Sequence, residues 1–459
     1  MKVMKFGGAS LKDKNNFLKT ANIILNEKDI KIVVLSAIYG VTDLLEKSIF
    51  DSKNDEILIK TRIEEIKNKH YIIASQSIEN LTILNSTLQL LDERFQKLER
   101  LLYGISYTEE ITKKIYALIM SFGERLAVII MSNVINSLGG NSVFLESDKV
   151  GIITDNNYEN ASPIMPLVKQ NCEKKILPLL NNGIIPIITG FFGCNQEGKT
   201  TLFGRNSSDY SAAVICAGIN ASKLEIWKDV DGFMSADPKI VSSSHLIEKL
   251  SYYEAAELSY FGAKILHPRT VNPLIKSSIP LTIKNFNKPE NQGTEVSREG
   301  EKKDTIIKSV TYNENISVLK IEGSGVGSKP GIISEIGSRL AKLGINIYSI
   351  ITSQTCINLL IDKKNSIISY EAIKDMENGV IENITHKDDD VVIAVVGEGI
   401  DKTPGLAAKL FNSVAQKNIN IEMISLGASE VAIYFIVKQK DLEESIKSIH
   451  NEFFMKKEN

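Results

Sequence analysis

Short, largely apolar runs recur along the first two thirds of the chain: Val3 to Phe6, Ile30 to Leu35 (apolar after Lys31), Gly140 to Leu145, Gly183 to Phe191 and Leu224 to Lys228. Runs of this length that stay mostly apolar on successive residues predict strands buried on both faces, as in a mainly parallel sheet. Between them apolar residues recur at helical spacing. Phe17, Ala21, Ile24 and Leu25 share one helix face. Residues 52–114 hold a single glycine and many charges, with Leu84, Leu88, Leu91, Phe95, Leu98 and Leu102 on one stripe. That stretch predicts a helical excursion from the sheet whose leucines pack in a core rather than a coiled coil. Ile115 to Gly139 reads as one further helix carrying Ser121-Phe122-Gly123-Glu124-Arg125.

The pattern changes over Asn285 to Lys303, a polar stretch with Pro289, Gly293 and mixed charge, which predicts a domain edge. Beyond it lies an internal repeat. One copy runs through strands at Ile316 to Ile321, Ile345 to Ile351 and Cys356 to Ile361, with Pro330-Gly331 opening a helix. The other has strands at Val391 to Val396, Ile419 to Ser425 and Val431 to Val437, with Pro404-Gly405 at the equivalent turn. Each copy is a ferredoxin-like module. The second copy ends on its helix, so Ile306 to Thr311 is expected to supply its fourth strand. The expected organisation is an α/β domain over 1–290 with the excursion at 52–114, a linker at 291–303, and modules at 304–386 and 387–459.

Charge and composition narrow the class. With 54 basic and 56 acidic residues well mixed, the net charge is −2, so neither nucleic acid nor a membrane surface is an expected partner. The N-terminus holds no signal-peptide segment and no span-length apolar run is read later. Cys172, Cys194, Cys216 and Cys356 stand far apart, which argues for a reducing compartment and against disulfides or a zinc site. A cytoplasmic protein is expected.

Candidate chemistry gathers where strands end. Gly198 to Ser208 is polar, with hydroxyls and two glycines, and turns into the apolar run 212–218. Ser207 or Ser208 is the expected N-cap, Asp209 then lies in the first turn, and Arg205 offers a planar fork for a carboxylate or phosphate. Lys5 precedes Gly7-Gly8, where a phosphate could approach backbone and ammonium together; the alternative is a solvated lysine beside a tight turn. Ser36 and Thr42 fall in a loop after a strand, where open α/β sheets bind ligands. Glu124, among apolar neighbours, is either ion-paired with Arg125 or a ligand for a substrate cation. Asp229-Val230-Asp231-Gly232 is a turn whose carboxylates, with Lys228 and Lys239, could equally hold a nucleotide. His267 before Pro268 reads as a turn residue rather than a catalyst.

Taken in order, these stretches resemble the aspartokinase family. Lys5-Phe6-Gly7-Gly8-Ala9-Ser10, Ser36 to Thr42, Ser121 to Glu124, Gly204-Arg205 with Ser208-Asp209, Lys228-Asp229-Val230, Ala236-Asp237-Pro238 and Ala263 to Pro268 are similar to that family's motifs. The repeat is similar to its paired ACT domains. The resemblance implies a three-layer α/β/α amino-acid-kinase domain followed by two ferredoxin-like βαββαβ ACT domains. The implied reaction moves the γ-phosphoryl of ATP, carried with Mg²⁺, to the side chain of L-aspartate, the first step toward lysine, threonine and methionine. Lys5 and Asp209 would be catalytic. Ser36, Thr42, Glu124, Arg205 and Ser208 would bind aspartate. Gly7, Gly8, Lys5, Lys228, Asp229, Met234, Lys239, Lys264 and Ile265 would take ATP.

An amino-acid effector, lysine or alternatively threonine, would sit at Gly331, Ile332, Asn346, Thr352 and Ser353, in a homo-oligomer built through the ACT domains. The chain departs from the family pattern at several places. Ala9 replaces a threonine, Asn206-Ser207 replace two glycines, and Lys228, Met234 and Lys239 stand where threonine, tyrosine and arginine are frequent. Tyr348 replaces an aspartate that could pair with the effector's ammonium. Other readings are a glutamate or acetylglutamate kinase, or a non-catalytic amino-acid sensor on the same fold.

Overall fold

The computed structural model describes residues 1–263, 265–300, 306–377 and 379–455. Two compact units emerge: Met1–Phe233, Glu248–Ala256 and Ile265–Glu301 form the first, and Met234–Ile247, Glu257–Lys264 and Lys302–Asn459 the second.

The first unit is built on an eight-stranded sheet, in the order Ser142–Leu145, Ile185–Thr189, Lys31–Leu35, Lys2–Phe6, Lys223–Lys228, Leu281–Asn285, Thr294–Ser297, Lys249–Ser251. Its neighbours are parallel except for the pairing of Thr294–Ser297 with Leu281–Asn285. Burial on both faces explains why these strands are mostly apolar. In the first strand Met4 and Phe6 join the core with Phe17, Ala21 and Ile24 of the helix Lys14–Asn26. Lys5 points the other way, toward the helix Ser208–Gly218. The excursion comprises three mutually packed helices, Val41–Asn54, Ile57–Ser77 and Leu81–Thr108, so it opens ahead of residue 52. Leu91, Phe95, Leu98 and Leu102 are fully or nearly fully buried in the same core as the sheet, with Leu84 and Leu88 packed at its margin. The leucine stripe is core.

The helix expected over Ile115 to Gly139 is two, Lys113–Met120 and Phe122–Ser137. Ser121 marks the break. Its hydroxyl donates to Leu118 O at 2.7 Å and accepts from Arg125 Nε at 2.9 Å. A serine bonding back along the helix in this way bends it. Together Lys113–Ser137 is long and apolar enough to span a membrane by length and composition, a stretch the sequence reading passed over. Its apolar side chains are instead spent on the core of this unit.

The second unit holds two four-stranded antiparallel sheets. One, ordered Ile347–Thr352, Cys356–Asp362, Ile316–Glu322, Asn383–Lys387, is a complete βαββαβ module with helices Ile332–Lys342 and Ser366–Ile373. The other is ordered Ser309–Asn313, Asp390–Val396, Ala432–Lys438, Met423–Ser425. Its edge strand precedes the first module in the chain, so the second module is closed from outside its own copy, two to three residues later than 306–311. Side chains sort by parity. Leu319, Ile321, Leu359 and Ile361 pack under the first module's helices, and Val391, Ile393, Val395, Phe435 and Val437 do so in the second. Val318, Leu360, Val392, Ala394, Tyr434 and Ile436 meet between the two sheets, joined by Phe261.

Candidate active site

Parallel strands place their carboxyl ends along one edge, and there Lys5, Ser36 and Lys228 close their strands or begin the loops that follow. The helix Ser208–Gly218 delivers Asp209 from its first turn into that edge. Lys5 Nζ lies 2.6 Å from Asp209 Oδ1, and Lys228 Nζ lies 2.9 Å from Asp209 Oδ2. Lys5 and Asp209 are almost wholly buried, while Lys228 keeps partial access to solvent. Burial alone would raise the Asp209 pKa, but Lys228 and Lys5 together hold it down at about 2. Burial lowers the Lys5 pKa, with Asp209 acting against it and Lys228 adding to it.

Beside this triad opens a cleft of about 500 Å³ lined by Gly8, Ser36, Thr42, Glu124, Arg205 and Ser208, among others. The five residues expected to bind substrate are therefore brought together. Ser36 Oγ and Ser208 Oγ are 2.7 Å apart. Glu124 is 4 % exposed; Ala37 N donates to its Oε1 at 3.0 Å, and its Oε2 has no hydrogen-bond partner. Burial pushes the Glu124 pKa up to about 8, although Ala37 N–H, Lys5 and Arg125 favour the carboxylate. The alternative pairing with Arg125 is not made. That guanidinium is held by Glu146 and by Asp148, 2.7 Å away, and stacks 4.5 Å over Phe192.

The loop before the helix is shaped by two left-handed residues, Gly204 at φ 100° and Asn206 at φ 57°, the second an angle asparagine tolerates. Ser207 occupies the N-cap position without capping. Its hydroxyl donates instead to Gly204 O at 2.6 Å, and Asp209 answers two lysines rather than the helix start alone. Arg205 is exposed at the cleft rim and paired with Glu46. Gly7 and Gly8 carry the chain past the site; a Cβ on Gly8 would lie 3.4 Å from Ala37 O.

Other positions divide. Asp229 is exposed after Lys228, and Ile265 is half-buried in the first unit. Met234 and Lys239 belong to the second unit, and Lys264 lies outside the described residues. Asp231 accepts from Asn285 Nδ2 at 2.6 Å and pairs with Lys288, as a turn anchor does. His267 Nδ1 accepts from Arg269 N at 3.2 Å and caps the turn Pro268–Val271, the non-catalytic alternative. Gly331, Ile332, Asn346, Thr352 and Ser353 all lie in the first module of the second unit. Gly331, at φ 95°, starts the helix Ile332–Lys342, and Asn346, Thr352 and Ser353 are exposed. Among the described residues no group of three or more His, Cys, Asp or Glu side chains could hold a metal ion.

Sequence reasoning missed Glu46 and Tyr116, which line the same cleft. The i, i+4 spacing of Thr42 and Glu46 on one helix was a usable signal.

Residues 1–285 match the model of the amino acid kinase family, and residues 393–453 match that of the ACT domain. A bifunctional aspartokinase/homoserine dehydrogenase of Buchnera aphidicola is 31% identical over the whole chain, which spans 57% of that protein. Aspartokinase 3 of Arabidopsis thaliana, a chloroplastic protein, is 29% identical over 98% of the chain and 81% of its own length. The structure of E. coli aspartokinase III in complex with lysine and aspartate superposes with a TM-score of 0.83 at 25% identity, covering 99% of this chain and all of that one. The same enzyme with aspartate and ADP gives 0.85 at 24% identity, a likeness of fold.

The triad yields a prediction. Asp209→Asn leaves two neighbouring ammonium groups without their buried carboxylate and is expected to cost about 3–5 kcal/mol at pH 7. A lysine whose folded pKa lies below its unfolded value binds fewer protons folded, so stability rises with pH there. The Asp209→Asn deficit therefore shrinks between pH 7 and pH 9, as read by thermal unfolding of both proteins.

Proposed function

The chain belongs to the amino acid kinase family, and on that premise we propose that it is an aspartokinase, transferring the γ-phosphoryl group of ATP to the side-chain carboxylate of L-aspartate. The observation that carries the reading is a single cleft lined by Glu124, which has an unpartnered buried carboxylate oxygen, and by the exposed guanidinium of Arg205, with the buried Lys5–Asp209 pair joined to its lining through the neighbouring residues Gly8 and Ser208. Glu124 takes the substrate's α-ammonium and Arg205 its α-carboxylate. Thr42, Ser36 and Ser208 supply the remaining polar contacts. The reacting carboxylate has a pKa near ~3.9 and is already ionised at neutral pH, so no general base is needed.

The barrier is repulsion between an anionic nucleophile and a polyanionic phosphate, which calls for positioning and positive charge. Lys5 faces the transferring phosphoryl, oriented by Asp209. Lys228, the second ammonium on that carboxylate, faces the nucleotide side, as do Gly7, Gly8 and Asp229. Mg²⁺ enters with ATP and supplies further neutralisation of the phosphates. Ile265 completes the nucleotide assignments within the first unit.

The ACT modules are read as the regulatory part. The E. coli relative is described in complex with lysine, and the positions we assign to an effector here are the helix start at Gly331-Ile332 with Asn346, Thr352 and Ser353. Tyr348, the departing residue, packs its ring 5.3 Å from Tyr260 and brings no carboxylate for an effector's ammonium. Backbone carbonyls would have to receive that ammonium, which keeps threonine as an alternative ligand. Exposed apolar residues on the edge strands, Ile350 and Ile424, support a homo-oligomer through these modules.

Three measurements test the reading. In a coupled assay, ADP release depends on aspartate and not on glutamate or acetylglutamate, and Lys5→Met lowers kcat by about 10²-fold or more while aspartate still binds. Equal turnover of glutamate would remove aspartate as the substrate.

Burial raises the Glu124 pKa to about 8, and the carboxyl must ionise to pair with an ammonium, so aspartate affinity strengthens as pH rises toward about 8. The KM for aspartate therefore falls between pH 6.5 and pH 8, and Glu124→Gln raises it and flattens the profile.

Lysine at millimolar levels inhibits, and by reciprocity aspartate weakens lysine binding. Inhibition by threonine alone would reassign the effector.

A further inference from the structure

Arg205 reaches the cleft from an exposed loop, and its one carboxylate partner among the described residues is Glu46. Glu46 lies one turn beyond Thr42 on the helix Val41–Asn54, so the sequence carries it to the same rim as a substrate-binding residue. Tyr116, from the helix Lys113–Met120, donates its hydroxyl to the same Glu46 oxygen, Oε1, at 2.8 Å. The carboxylate is thus held from two sides. It is 23 % exposed, whereas the Arg205 side chain is 71 % exposed and free to turn. The Tyr116 phenol is pushed up to about 12 by burial and by Glu46, so it remains a donor throughout the neutral range.

We propose that Glu46 is an internal competitor for the substrate-binding arginine: it pairs with Arg205 and must yield the guanidinium to the substrate's α-carboxylate. Binding is then an exchange of one carboxylate for another on the same fork. Glu46 stays behind on Tyr116, and the negative charge it leaves at the rim opposes the incoming dicarboxylate. Affinity for aspartate is set by the difference between two similar pairs rather than by the strength of one. Only a ligand that also offers an ammonium to Glu124 recovers what the exchange costs. Glu46 is in this sense a positioning residue that tunes specificity, acting through Arg205 and touching no reacting atom.

The inference rests on the aspartokinase reading, and the test separates the two. Glu46→Gln keeps the shape and the hydrogen bond from Tyr116 but removes the charge. An exposed pair is worth up to about 1 kcal/mol, so the KM for aspartate is expected to fall about two- to fivefold while the KM for ATP stays in place. Tyr116→Phe removes the partner on which Glu46 stays behind, so it strengthens the competition for Arg205 and raises the KM for aspartate. If the wild-type chain does not turn over aspartate at all, the functional reading fails. If the wild type is active but Glu46→Gln leaves the KM for aspartate unchanged or raises it, Glu46 is a neutral or supporting partner of Arg205 and the inference is overturned.

Discussion

The site depends on one carboxylate held between two ammonium groups. A lysine at the centre of a parallel sheet, buried as Lys5 is, would not keep its proton without a counter-ion. Asp209 supplies it, and Lys228 shares it from the neighbouring strand, whose register sets Lys5 opposite Ile226 and Phe6 opposite Trp227. The strand ends, the helix start and the loop between them are therefore tied to each other through charge as well as through packing. Two ammonium groups on one carboxylate also leave a net positive charge at this end of the strands. That surplus is what a polyphosphate would meet. Lys228, a departure from the residue frequent in the family, is the source of the surplus.

The same burial produces opposite outcomes at two acids a short way apart in function. Asp209 is held at about 2 because two cations face it; Glu124 rises to about 8 because none is close enough to outweigh desolvation. One is a fixed charge that is already satisfied. The other is a charge held in reserve, with an unpartnered oxygen awaiting a cation. Arg125, adjacent in sequence, cannot play that part, because Glu146 and Asp148 bind it on the far side. Ser121 Oγ accepts from Arg125 Nε at 2.9 Å and helps to hold that guanidinium in place.

Most of the first unit was legible because burial on both faces of the sheet writes mostly apolar strands, and because strand, glycine turn and helix follow each other at short range. Lys5, Ser36, Thr42, Arg205 and Asp209 could be singled out from those local patterns. What the patterns could not carry was contact across the sheet. Lys228 read as a nucleotide residue, and only the pairing of its strand with Lys2–Phe6 shows that it shares Asp209. Glu46 and Tyr116 stayed hidden because their meeting with Arg205 joins segments some 70 to 159 residues apart. Ser207 looked like a cap by type and position, yet its hydroxyl found the nearer carbonyl of Gly204. The fourth strand of the second module was recoverable from the repeat, since a βαββα copy lacking its closing strand must find one elsewhere.

The second unit shows why that borrowed strand matters. Ser309–Asn313 pairs with Asp390–Val396 along its whole length, and Val310 enters the helix-facing core of the same module. Met234–Ile247 belongs there too. Ser309 Oγ donates to Met234 O, Val310 N donates to Ser235 O at 2.9 Å, and Ala236 and Val241 sit in the same core. The stretch that leaves the Lys228 strand is thus ordered by a module built from residues far downstream. Phe261, in the second inserted segment, packs its ring 4.5 Å from Tyr434 between the two sheets. Both inserted segments continue directly at either end into chain of the first unit, so their order in the second unit fixes where that chain begins.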